Sequence, residues 1–150
     1  STLFLIFGLA PAAIGLALGL LIQGVLFAPF DLPQYGMNIT TLLVPLMAVY
    51  LVAQRIIPAK TAYKDVGYGQ ALALSTAYQG GVVVWVAFWA FYGHGFNATT
   101  ASEVGVFGGA YMTVIIIEPL ADLAILAAAK ALHQLKDSPL FHDRLYRAEV

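Results

Sequence analysis

The chain alternates long stretches without charge and short polar breaks. No Asp, Glu, Lys or Arg occurs in residues 1–30, 32–54, 66–102 or 104–117. A helix crosses the ~30 Å hydrocarbon core of a bilayer with ~20 mainly apolar residues, and these windows read as membrane-spanning segments. A soluble chain of 150 residues could bury one such helix in its core, but hardly four in a row. The pattern predicts an all-α fold, a polytopic transmembrane helical bundle. Its four complete spans fall at about 11–28, 37–54, 68–92 and 103–135, preceded by a partial helix over 1–8.

The breaks have their own chemistry. Gly8-Leu9-Ala10 reads as a tight link, and Pro11 suits the first turn of the helix it leads into. Pro29, Pro33 and Gly36 make a turn-rich gap, after which Asn38 is a candidate helix cap. Gly80-Gly81 marks either close packing or a bend. Trp85, Trp89 and Tyr92 gather near one end of their span, as interfacial aromatics do. The last span is longer than one crossing needs. Pro119 is therefore a candidate kink, and the C-terminal part of the helix a candidate for leaving the lipid. Asn97-Ala98-Thr99 matches a glycosylation acceptor, a match read as fortuitous. The segment Thr2 to Gly8 is too short to span alone. The chain begins inside an apolar run with no basic flank, so an upstream portion is expected.

Composition agrees with a life in lipid: 61% of residues are hydrophobic and 10% charged, against ~25% charged in soluble domains. The net charge of −1 gives no reason to expect nucleic acid or an acidic ligand. The absence of cysteine excludes disulfides, thiolate metal sites and cysteine nucleophiles within this chain. No phosphate-binding loop and no Ser-His-Asp arrangement is present, so neither nucleotide hydrolysis nor nucleophilic catalysis is expected. The seven Lys and Arg, at 55, 60, 64, 130, 136, 144 and 147, fall in the loop after the second span or toward the C-terminal end. The positive-inside rule puts both regions, including the tail 136–150, in the cytoplasm, and the loops 28–36 and 93–102 outside.

Few residues can carry chemistry. Glu118 and Asp122 are four apart on one helix face. They are either an intramembrane relay, coupling contact or polar clamp, or a pair at the cytoplasmic headgroup level. His94 is assigned to the outer loop, while His133 and His142 are assigned to the cytoplasmic end, so the three cannot form one metal site. His94 alone is a candidate peripheral ligand. Met37-Asn38 sits at the outer mouth of a helix, where an amide and a loop carbonyl could pin a neighbouring segment. Gln23, Gln54, Gln70 and Gln79 read as helix–helix glue.

Phe7-Gly8-Leu9-Ala10-Pro11-Ala12-Ala13-Ile14-Gly15-Leu16-Ala17, then Leu20-Leu21-Ile22-Gln23-Gly24-Val25-Leu26-Phe27, followed by Tyr35-Gly36-Met37-Asn38-Ile39, resembles the core of the CbiM/NikM family. Those are the substrate-binding membrane permeases of energy-coupling factor transporters for cobalt and nickel. Ala77-Tyr78-Gln79-Gly80-Gly81 and Ile117-Glu118-Pro119-Leu120-Ala121-Asp122 are similar to the proteobacterial branch of these permeases. The resemblance implies a multi-pass protein of the bacterial inner membrane, with Co²⁺ or Ni²⁺ as substrate and no covalently bound cofactor. It also implies a transmembrane coupling subunit and cytoplasmic ATPases as partners, contacted through the loop 55–65 and the final helix.

In that family the ion is held by an N-terminal Met-His segment and by a histidine shortly before the helix that corresponds to residues 1–8, neither of which this sequence contains. Met37 and Asn38 then correspond to the helix mouth that supports the ligand segment, while Glu118 and Asp122 match no ligand role. A non-transporting structural subunit of a larger membrane complex is the alternative. A membrane enzyme would need a polar cluster at one depth, and the sequence alone does not assemble one.

Overall fold

The computed structural model describes residues 2–135; Ser1 and the tail 136–150, expected in the cytoplasm, lie outside the described residues. The chain forms five helices: α1 (Thr2–Phe7), α2 (Leu9–Leu26), α3 (Tyr35–Ile56), α4 (Tyr68–His94) and α5 (Ala98–Leu135). Short 3-10 turns, Pro29–Gln34 and Tyr63–Asp65, occupy the two longer connections. Four helical segments are long and apolar enough to cross a membrane. The fold is thus an all-α bundle of four spans with a short N-terminal helix.

Each boundary follows from local chemistry. Gly8 takes φ +87°, which only glycine adopts without strain, and this breaks α1 from α2. Pro11 lies in the first turn of α2, where its missing N–H costs nothing. Asn38 is not a cap: α3 already begins at Tyr35 after the Pro29–Gln34 turn, so Asn38 lies within its first turn. The α4–α5 connection is shorter than the polar residues 93–102 suggested. Gly95, at φ +79°, ends α4. Asn97 then caps α5 by accepting from the Thr100 N–H at 2.9 Å, while its amide donates to the His94 carbonyl at 2.9 Å. Helix α5 runs unbroken through Pro119 as one element of 38 residues.

Helix α4 lies between α3 and α5 and contributes six buried residues to the interior. Leu74, Tyr78 and Val82 recur at helical spacing and pack against Leu46, Val49 and Ala53 of α3 and Ala12 of α2. At Gly81 helix α4 lies directly against Pro45 of α3; Gly80 beside it faces open space. Close packing, not a bend, explains Gly81. The outer faces of α2 and α5 present Ile14, Leu18, Ile22, Val106 and Ile117, which suits them to lipid.

At the opposite end from the α4–α5 turn, the α3–α4 connection is fixed to α5. Lys130 Nζ donates to the Lys64 carbonyl at 2.7 Å and stands 5.4 Å from the centre of the Tyr68 ring. Val66, Ala71 and Leu126 form a small second core beneath it. Gln70 donates to the Ile56 carbonyl and accepts from the Gly67 N–H, so it ties the end of α3 to the start of α4. Arg55, Lys60, Lys64 and Lys130 therefore all belong to one end of the bundle.

Candidate functional site

The start of α3 is held by hydroxyls. Thr40 Oγ1 donates to the Met37 carbonyl at 2.7 Å, and Thr41 Oγ1 reaches the same carbonyl at 3.1 Å. Two indoles from α4 converge on Thr40: Trp85 Nε1 donates to its hydroxyl oxygen at 3.0 Å and Trp89 Nε1 at 3.2 Å. A hydroxyl has one proton to give and two lone pairs to receive, and Thr40 uses all three. Trp85 and Trp89 are thus inter-helix clamps, while Tyr92 remains exposed beside them. Tyr35 anchors the other side, donating to the Ala17 carbonyl of α2 at 2.9 Å.

These contacts shape a pocket of about 300 Å³ at this end of the bundle, lined among others by Gln34, Met37, Asn38, His94 and Glu103. Three helices contribute: α3 gives Met37 and Asn38, α4 gives His94, and α5 gives Glu103. Met37, Asn38 and His94 were candidates on sequence grounds; the fold brings them to one place. Glu103 and Thr40 were missed. The sequence did carry a signal for Glu103, as the single charge between two long neutral windows. Nothing in the sequence distinguishes Thr40 from Thr41. Asn38 also borders a smaller crevice with Gln23, Asp31 and Tyr35. The imidazole and carboxylate suit a cation, the amides and carbonyls a peptide segment.

A second polar group lies deeper. Thr2 Oγ1 donates to Asp122 Oδ1 at 2.6 Å, joining α1 to α5. Tyr111 donates to Gln79 Oε1 at 2.8 Å, joining α5 to α4. Asp122 is 6% exposed and Gln79 1%. Glu118 and Asp122 line one cavity of about 220 Å³ with Thr2, Tyr78, Leu16 and Leu46. Leu46 is at the middle of the 22-residue α3, which is about 33 Å long at 1.5 Å per residue. The carboxylates therefore sit at mid-helix level in α3 rather than beyond its end, and a polar cluster at one depth does exist. Among the described residues no group of three or more His, Cys, Asp or Glu is arranged to hold a metal ion.

A search of curated proteins and of solved structures finds no match to the chain. The family profile described as CbiM, cobalt uptake substrate-specific transmembrane region, matches residues 1–134. With nearly the whole chain matched and four spans in the bundle, the protein belongs to the CbiM family of cobalt-uptake permeases.

Proposed function

We propose that this permease receives its ion at the pocket between the start of α3, the end of α4 and the start of α5. Its family is one of transport permeases, not enzymes, and the protein is a multi-pass component of the bacterial inner membrane for uptake of cobalt or a related divalent ion. The observation that carries the reading is the meeting of Met37, Asn38, His94 and Glu103 around one pocket of about 300 Å³. In this reading Met37 and Asn38 support the segment that ligates the ion, through the Asn38 amide and the backbone beside it. His94 and Glu103 draw the cation toward the mouth. The substrate is Co²⁺; imidazole donors suit Ni²⁺ as well.

Permeases of this family work with a transmembrane coupling subunit and cytoplasmic ATPases. We assign the basic end of the bundle, with Arg55, Lys60, Lys64 and Lys130, to the cytoplasm. The coupling subunit would then meet the α3–α4 connection and α5 there. The lipid bilayer covers the remaining apolar faces, and no nucleic acid is involved.

The test is Co²⁺ titration by calorimetry on the intact gene product, alongside cellular uptake of radioactive cobalt. Asn38→Ala should weaken binding by roughly 10–100-fold, the usual cost of losing an outer-shell partner, and depress uptake while the protein stays folded. Unchanged affinity and uptake in both Asn38→Ala and His94→Ala would overturn the assignment of the pocket.

A further inference from the structure

The deeper cavity has no part in the reading above. Two carboxylates one helical turn apart, Glu118 and Asp122, share it. Tyr78, also on its wall, is only 8% exposed, and its hydroxyl oxygen has no hydrogen-bond partner among the described residues. A buried hydroxyl without a partner is costly to keep, so its retention beside two carboxylates points to something that it meets. Thr2, whose hydroxyl donates to Asp122, also lines the wall, and the remainder is apolar, with Leu16, Leu46 and Ile125 among its residues. Intramembrane carboxylates in such surroundings are costly and characteristically mark ion pathways.

We propose that this cavity is a second, inner station for the transported divalent cation. Glu118 and Asp122 are its carboxylate ligands and the Tyr78 hydroxyl a neutral oxygen donor. This rests on the reading of the chain as a divalent-metal permease. No third acidic or histidine ligand joins them among the described residues, so the ion keeps part of its water shell. The cavity of about 220 Å³ has the room, since a water takes up ~30 Å³.

The donor chemistry sets the strength. Imidazole nitrogen suits Co²⁺ and Ni²⁺, whereas carboxylate and hydroxyl oxygen suit harder ions. The inner station therefore holds the ion more weakly than a nitrogen-rich site. That order favours inward release, because a transit site must admit the ion and still let it go. Polar groups lead toward it along the faces of α4 and α5: Glu103 at the mouth, the Tyr111–Gln79 pair next, then Tyr78 with Glu118 and Asp122.

The experiment is Co²⁺ titration of the intact gene product in detergent, comparing the parent protein with Tyr78→Phe and with the double variant Glu118→Gln/Asp122→Asn. The parent should show a tight and a weaker class of binding. Both variants should lose the weaker class, or weaken it by roughly tenfold or more, and leave the tight class in place. Asn38→Ala should do the reverse. Tyr78→Phe keeps the ring and leaves no partner stranded, so it carries the test should the double variant not fold. A single class in the parent, or a second class unchanged in both variants, overturns the inner station and leaves the permease reading intact. No Co²⁺ binding of any kind in the parent overturns both.

Discussion

A side-chain carbon added at Gly81 would stand 2.9 Å from Cβ of Pro45, closer than non-bonded carbons come. Helices α3 and α4 are in tight contact at this point, and both helices line the two polar sites. Helices in lipid gain their contact from such close approach, which small residues permit. Gly81→Ala should lower stability by about 1–3 kcal/mol, the cost of overpacking a filled interior. Gly80→Ala, facing open space, should leave it within about 0.5 kcal/mol. Thermal unfolding of the two variants in one detergent checks the contrast; equal melting temperatures would count against the tight contact.

Thr40 holds two indoles and a backbone carbonyl with one oxygen. Thr40→Val keeps the shape but strands both indole N–H groups, at about 1–3 kcal/mol for each that stays buried. The variant should unfold at lower temperature and shift the tryptophan fluorescence. It should also weaken Co²⁺ binding at the pocket beside Met37, whose carbonyl loses the shorter of its two hydroxyl contacts. Thr40→Ser restores the hydroxyl and should recover most of both properties. Recovery failing with Ser would mean that the methyl packing, not the hydrogen bonds, matters.

Lys130→Met removes the donor to the Lys64 carbonyl and the cation beside Tyr68. The combined loss is about 2 kcal/mol, and it falls locally on the α3–α4 connection. Trypsin should then cut at Lys60 and Lys64 faster than in the parent protein while global unfolding changes little. An unaltered digestion pattern would show that the small core of Val66, Ala71 and Leu126 suffices to hold the connection.

Asn97→Ala should cost about 1 kcal/mol through loss of the α5 cap. Its effect should reach His94, whose carbonyl is held by the same amide at 2.9 Å. Hydrogen exchange at residues 93–101 reads the loosened turn directly, and protection equal to the parent would refute the cap.

Uncharged windows located the spans because lipid tolerates few ionised groups, and that constraint is written residue by residue. The helix ends were less legible. Asn97 looked like one polar residue in a loop of many, and its role depends on two backbone partners that only the turn brings close. Asn38 looked like a cap, but the proline-rich turn ahead of it starts the helix sooner. Met37, Asn38, Glu118 and Asp122 could be singled out by type. Which of them share a cavity depends on how α3, α4 and α5 pack, and no spacing within one helix encodes that. Tyr78 stood out only as part of a family-like motif and not for its hydroxyl, since a tyrosine in an apolar span looks the same whether its hydroxyl is satisfied or not.

The clamp of Lys130 on the α3–α4 connection has a mechanical consequence. Helix α5 is a single rod of 38 residues, about 57 Å from end to end at 1.5 Å per residue. Its C-terminal portion is bonded to the α3–α4 connection, and its N-terminal portion forms one wall of the pocket through Glu103. A displacement of the α3–α4 connection would thereby be carried by one continuous helix to the pocket at the other end of the bundle. On its way the rod carries Glu118 and Asp122, so that a tilt of a few degrees displaces mouth and midpoint by unequal amounts, as a crank does.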